Sequence, residues 1–304
     1  MEIWLSIIRS IIRAGTPLLL GTLGQIAVER TGVLNLGTEG IMIIGAVTGF
    51  AVARATGNPW LGLSAAALMG MTFALIHGTV SITFRGNQTV SGLALTMFGL
   101  GLSGLMGRNF VGIPAVRVPV VPLYPFSEIP LIGQLLFIYD PLVYLSYVLV
   151  PTFWFILYRT KIGIIVRAVG DSPETADSMG ISVSKVRYLG VMVGGLLIGL
   201  AGAYLSLIYI PAWIEGMTAG RGWIVIALAV FAMWDPLRAL VGAYLFGGVE
   251  VLQYHLQPYG ISPAFLGMTP YIATIVVLCI ASRETLRRRL GAPKSLGKPY
   301  IKEE

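Results

Sequence analysis

Residues Tyr188–Ile214 read YLGVMVGGLLIGLAGAYLSLIYIPAWI and hold no Asp, Glu, Lys or Arg. A helix crosses a hydrocarbon core with about 20 predominantly apolar residues, and this run is longer than that. Ala55–Phe84, Gly86–Gly107 and Val251–Ser282 are just as free of charge. Runs of this kind repeated along one chain exclude a soluble core as their explanation. A closed barrel also satisfies its backbone within lipid, but its strands alternate apolar and polar residues over about 10 positions. Thr274–Ile280 (TIVVLCI) does not alternate. The expected fold is all-α, a polytopic membrane helix bundle.

Composition agrees. The 304 residues are 56% hydrophobic and 12% charged, with a mean hydropathy of +0.81, whereas soluble domains carry about 25% charge. The net charge of +7 does not point to nucleic acid, because the basic residues sit at the ends of apolar runs, where membrane topology puts them. Cys279 is the single cysteine, which rules out a disulfide framework or a cysteine metal cluster. His77 and His255 lack a Cys or His partner at ligand spacing, so no metal site is expected. No Ser-His-Asp grouping is visible, and the chain does not read as an enzyme. Met1–Arg13 places Arg inside an apolar stretch and reads as helix rather than as a cleavable signal.

Apolar runs and their punctuation predict helices over Ile3–Val28, Leu36–Ala53, Trp60–Phe84, Thr89–Gly107, Pro141–Tyr158, Val186–Ile210, Arg221–Trp234, Leu237–Leu256 and Met268–Ser282. With a broken first helix or a partial one at Ile129–Ile138, that makes about 8–10 transmembrane segments. Gly194, Gly195, Gly199 and Gly202 lie along one of them, where small residues let membrane helices approach closely. Residues 1–290 read as one transmembrane domain and 291–304 as a short charged tail.

Basic residues set the orientation. Arg159–Arg187 holds five and Arg283–Glu304 seven of the 21 Lys and Arg, against only Arg117 in the Pro-rich stretch Asn109–Asp140. Positive loops stay inside, so the first two segments and the C-terminus are expected in the cytoplasm, and the Pro-rich loop outside an inner membrane. The N-terminus is in conflict: Arg9 and Arg13 favour the inside, and helix parity counted from Arg85 favours the outside unless the first helix breaks near Glu29–Gly32.

Within the basic loop, Gly170–Gly180 (GDSPETADSMG) spells a miniature helix. Ser172 suits the cap, Pro173 the first helical position, Glu174 the positive helix end and Gly180 a left-handed terminus. On these residues alone, a stiff projecting helix and a solvated connector are equally open.

Glu39, Arg221 and Glu250 interrupt apolar helices, and Glu29 and Arg30 end one. Such groups face the bundle interior or water, because a charge centred in hydrocarbon costs at least about 2.5 kcal/mol. They fit internal ion pairs, for instance Arg221 with Glu39 or Glu250, or a translocation pathway. Gln25, Asn35, Asn87, Gln88, Ser91, Thr96 and Trp223 offer amide, hydroxyl and aromatic contacts to a neutral polar solute, or equally helix–helix contacts. The candidate pathway set is therefore Gln25, Glu29, Asn35, Glu39, Asn87, Gln88, Ser91, Thr96, Arg221, Trp223 and Glu250.

Gly163–Tyr204 resembles the coupling region of ABC importer permeases of the branched-chain amino acid, simple-sugar and nucleoside branch. Glu29–Gly45 (ERTGVLNLGTEGIMIIG) and Gly220–Gly248 are similar to the same branch, and Asn87–Leu95 (NQTVSGLAL) looks closest to its nucleoside-type members. The resemblance implies a permease subunit that pairs with a second permease, identical or homologous, with two ATPase subunits and with an extracytoplasmic solute-binding lipoprotein. It implies that Asp171, Ser172, Pro173, Glu174, Thr175, Ala176, Asp177, Ser178 and Met179 form the coupling helix docking in the ATPase. No G-x-x-x-x-G-K-[ST] phosphate loop occurs in the chain, so ATP and magnesium belong to the partner and no cofactor is expected here. A nucleoside is the implied cargo, with a simple sugar such as ribose as the alternative. An ion-coupled secondary transporter is the rival of another class.

Overall fold

The computed structural model describes residues 2–257, 262–281 and 291–301; the basic run 283–289 and residues 302–304 lie outside them. The helices are α1 (Glu2–Glu29), α2 (Thr38–Thr56), α3 (Pro59–Gly78), α4 (Gln88–Gly107), α5 (Ile132–Leu136) and α6 (Pro141–Arg159). They continue as α7 (Lys161–Asp171), α8 (Pro173–Ser178), α9 (Val183–Tyr204), α10 (Arg221–Phe231), α11 (Pro236–Leu256) and α12 (Pro263–Ala281). Wider π-helical turns extend α3 through Thr83 and α9 through Tyr209. The strands β1 (Val121–Pro122) and β2 (Ile138–Tyr139) pair antiparallel inside the Pro-rich segment. The protein is a polytopic helical bundle. Among the described residues, the stretches Trp4–Glu29, Thr38–Thr56, Pro59–Thr83, Gln88–Phe110, Pro141–Arg159 and Val183–Tyr209 are long and apolar enough to cross a membrane.

Helix starts follow local chemistry. Asn58, Asp140 and Asp235 each precede a proline, and each side chain accepts backbone N–H groups of the first turn it opens. The cap satisfies donors that the helix leaves orphaned, and proline loses no bond at the first position. Asn87 caps α4 on Val90 N–H at 3.1 Å without a proline.

Glycine sets the packing. α9 lies against α1, α2 and α3. Gly194 faces Gly24 of α1, Gly195 and Gly199 face Gly70 of α3, and Gly202 abuts the Met42 carbonyl of α2. Gly45 of α2 also meets Gly199. None of these sites has room for a Cβ without movement of backbone. Lipid gives helices no hydrophobic reason to associate, so close backbone approach and dispersion must hold them.

α1 connects the two ends of the bundle. It runs unbroken for 28 residues despite Pro17, about 42 Å at about 1.5 Å per residue. At its start Arg9 donates to the Gln134 carbonyl of the Pro-rich segment, at 2.7 Å. At its end Arg30 donates to the Tyr158 hydroxyl at the close of α6. The two ends of α1 therefore lie at opposite ends of the bundle, and its start shares an end with the Pro-rich segment. The sequence reading also missed α7, whose eleven residues open the basic loop.

Candidate functional site

Two helices start inside the bundle rather than at its edge. The chain leaves α1 at one end, and residues 31–37 run non-helically into the interior before α2 begins. Gly40, in the first turn of α2, already meets Gly99 of α4, about 16 Å up α4 from Gln88 at about 1.5 Å per residue. Likewise, residues 210–220 turn back from the Pro-rich end, where Trp213 packs on Gly107, and α10 starts at Arg221. Irregular backbone at such depth is tolerated only when protein or a cavity satisfies its polar groups.

Much of the candidate pathway set does that work for residues 34–37. Leu34 N–H donates to Gln88 Oε1 at 2.7 Å, and the Leu34 carbonyl bonds His77 Nε2 at 2.9 Å. Gln25 Nε2 donates to the Asn35 carbonyl at 2.8 Å, and Thr96 Oγ1 to the Leu36 carbonyl at 3.0 Å. Asn35 Oδ1 accepts from Gly37 N–H, and Ser91 Oγ bonds His77 Nδ1 at 3.0 Å. Gln25 Oε1 accepts from Thr38 Oγ1, which ties the loop to α2. Gln25, Asn35, Gln88 and Thr96 are buried.

Glu39 sits where the two interior helix starts meet. Its Oε1 accepts from Thr218 Oγ1 at 2.5 Å and Gly220 N–H at 3.0 Å, and its Oε2 accepts from Gly222 N–H at 2.6 Å. The carboxylate thus faces the positive ends of both α2 and α10, which a negative group stabilises. The expected pairing of Arg221 with an acid is found with Glu250, not Glu39. Tyr209 donates to the same Glu250 oxygen at 3.1 Å, and its ring lies under the Arg221 guanidinium. Beside this pair, Leu18, Ile224, Phe246, Gln253, Tyr254 and Tyr271 bound a cavity of about 220 Å³. Gly247 of α11 meets Gly15, about 21 Å along α1 from Glu29 at about 1.5 Å per residue, so the pair lies near the middle of the bundle. Trp223, one position past Gly222, is 40% exposed.

Glu29 belongs to the opposite end. It accepts from Trp234 Nε1 at 2.5 Å and Gln25 Nε2 at 2.8 Å. Arg30 donates to the carbonyls of Met233, Trp234 and Gly291 and to the Tyr158 hydroxyl. Met233 and Trp234 both hold left-handed backbone, at φ 54°, a conformation that costs non-glycine residues energy and persists where surroundings fix it. Burial pushes the Arg30 guanidinium down from its ordinary pKa, against the pull of Tyr158 and Asp171. Thr218 and Tyr209 carried no sequence signal that separates them from other aromatic or small residues of apolar helices.

At this same end, the expected coupling stretch folds as the six residues of α8, with Asp171 closing α7. Pro173 stands at its first position, and Gly180 ends it at φ +80°. Gly180 N–H bonds Asp177 O at 2.8 Å and Ile181 N–H bonds Ala176 O at 3.0 Å, a Schellman closure. Ser172 corrects the reading: its hydroxyl caps no backbone N–H and instead bonds Thr175 Oγ1 at 2.7 Å. Glu174 and Met179 are exposed, Met179 at 78%.

This chain is similar over 98% of its length to 98% of the putative glucose ABC transporter permease protein TsgC13 of Haloferax volcanii, at 41% identity. It is 37% identical to the guanosine ABC transporter permease protein NupQ of Bacillus subtilis, covering 94% of this chain and 93% of that one. With the nucleoside ABC transporter permease protein NupC of Lactococcus lactis it shares 30% identity, over 98% and 97% of the two chains. Among solved structures, PsaBC from Streptococcus pneumoniae in complex with Fab shares its fold, with a TM-score of 0.53 over 92% of this chain and 94% of that one, at 14% identity. Residues 7–280 match the family described as branched-chain amino acid transport system / permease component, and with the bundle above this makes the chain a multi-pass membrane permease belonging to that family.

Proposed function

We propose that the chain is the membrane-spanning subunit of an ATP-driven importer for a small, neutral, hydroxyl-rich solute, with a nucleoside as the first reading. The observation that carries it is α8: a short, well-terminated, acidic helix standing between basic flanks at one end of the bundle. An ATPase that closes on ATP needs a stiff element to push, and a helix fixed by Pro173 and Gly180 is stiff. The end bearing α8 faces the cytoplasm in this reading, because the basic residues of 159–187 gather there. A second permease, two ATPase subunits and an external solute-binding lipoprotein complete the assembly. ATP and magnesium sit on the ATPase subunits, and this chain carries no cofactor.

The two interior helix starts support a pathway near Glu39, Arg221 and Glu250, since transporters bind solute where broken helices meet at mid-depth. A second reading keeps the class and carries a simple sugar; it is favoured by the identity to a putative glucose permease. Nucleosides and sugars both present ribose-like or hexose hydroxyls to amide, carboxylate and tyrosine partners.

The test is uptake of labelled guanosine by membrane vesicles containing the complete transporter, with uridine, ribose and glucose as competitors. Competition by uridine but not by the sugars is expected, and the reverse pattern selects the sugar reading. Uptake that survives loss of the ATPase subunits but stops with an uncoupler would replace both with an ion-coupled carrier. If Glu174→Ala with Asp177→Ala leaves ATPase assembly and uptake intact, α8 is not the coupling element.

A further inference from the structure

α8 has little of its own to hold it. Six residues make fewer than two turns, and the apolar cluster beneath them contains only Val169, Ala176 and Val183 as buried members. Residues 291–301 pack against this end of the bundle. Tyr300 lies against that cluster and hydrogen-bonds to Asp177 of α8. Ser295 is buried, and both its N–H (2.9 Å) and its hydroxyl (2.7 Å) donate to the Gly170 carbonyl at the end of α7. Pro293 and the Arg30 carbonyl pack on Gly170, leaving no space for a side chain. Gly32, at φ +88°, is equally crowded by the Ser295 hydroxyl.

The same segment also reaches the end of α1, and α9 about a turn beyond Val183, where α8 itself packs. Arg30, just past α1, donates to the Gly291 carbonyl at 2.8 Å. Arg187 of α9 is 1% exposed, and among the described residues its guanidinium hydrogen-bonds the Lys298 carbonyl and the Ser295 hydroxyl, each at 3.4 Å. Among the described residues its Nε has no hydrogen-bond partner. A buried guanidinium held by long bonds is costly, and segment 291–301 supplies every acceptor it has in these contacts.

We infer that residues 291–301 form a strap that clamps α7 and α8 to the ends of α1 and α9, so that movement of α8 is delivered to the bundle core. Tyr300 and Ser295 are positioning residues in this device, and Arg187 is its anchor on α9. The inference rests on the importer reading for what moves α8, but not for the clamp itself.

Two measurements test it, in three separate variants: one truncated after residue 290, one full chain carrying Tyr300→Ala and one full chain carrying Ser295→Val. Hydrogen exchange in detergent reads the clamp directly: amides of 173–181 are expected to exchange at least 10-fold faster, with the interior of α2 unchanged. In proteoliposomes with the ATPase subunits and binding protein, labelled guanosine or glucose taken up per ATP hydrolysed is expected to fall at least 5-fold while the ATPase stays bound. If neither solute enters with ATP in the unaltered transporter, the proposed function fails, and hydrogen exchange alone decides the strap. Unchanged exchange in 173–181 in the point variants overturns the strap. Faster exchange with unchanged uptake per ATP overturns its part in coupling.

Discussion

Glu39 Oε2 accepts the Gly222 N–H at 2.6 Å, so a side chain near the start of one interior helix closes the start of another. Glu39→Gln retains shape but replaces one acceptor oxygen with a donor among three donors. A loss of about 1–3 kcal/mol is expected for a buried group left unmatched. Thermal unfolding of the purified chain in detergent measures it, and Glu39→Gln with an unchanged midpoint would contradict the bonding described.

Gly222 itself leaves no room, because a Cβ there meets the Glu39 backbone. Gly222→Ala is expected to cost about 1–3 kcal/mol through overpacking. Gly57, with open space around it at φ +68°, provides the contrast: Gly57→Ala is strained by its backbone but displaces no neighbour.

The Arg221–Glu250 pair allows structure and transport to be separated. Removing one partner leaves an uncompensated charge, worth about 3–5 kcal/mol, whereas replacing both with apolar residues is often neutral. Arg221→Met and Glu250→Met are each expected to lower the unfolding midpoint, and the double variant to recover most of it. If uptake recovers along with stability, the pair serves packing alone; if it stays lost, the pair lines the path.

Gln88→Leu removes the acceptor for Leu34 N–H and strands a half-buried backbone donor, at about 1–3 kcal/mol. Thr96→Val does the same to one of the lone pairs on the Leu36 carbonyl and is expected to cost less, since a carbonyl tolerates a missing bond better than an N–H does. Comparing the two midpoints checks that the buried loop, rather than α4 packing, is what these side chains serve.

Much of this architecture was legible beforehand, and the reason is local. Charge-free runs fix spans, and Asn58–Pro59, Asp140–Pro141 and Asp235–Pro236 mark starts by a chemistry confined to neighbouring residues. The brief helix α8 was readable for the same reason, through Pro173 and Gly180. What could not be read was long-range choice. Arg221 had two acids within plausible reach, and only the fold selects Glu250 over Glu39. Gln25, Asn35, Gln88 and Thr96 signalled polarity in apolar surroundings, which a solute site and a buried loop share. That residues 34–37 leave helical geometry inside the bundle is a tertiary fact, and it redirects all four side chains. Arg187 and Ser295 looked like ordinary members of a basic loop and a charged tail, because a contact across more than a hundred residues leaves no trace in spacing.

The glycine seams between α9 and its neighbours limit how this molecule can move. Where main chain rests on main chain, as at Gly45, Gly70 and Gly199, there are no long side chains to swing aside as a lubricant. Sliding by a fraction of a turn drives a carbonyl into a Cα. These contacts make α1, α2, α3 and α9 resist sliding past one another.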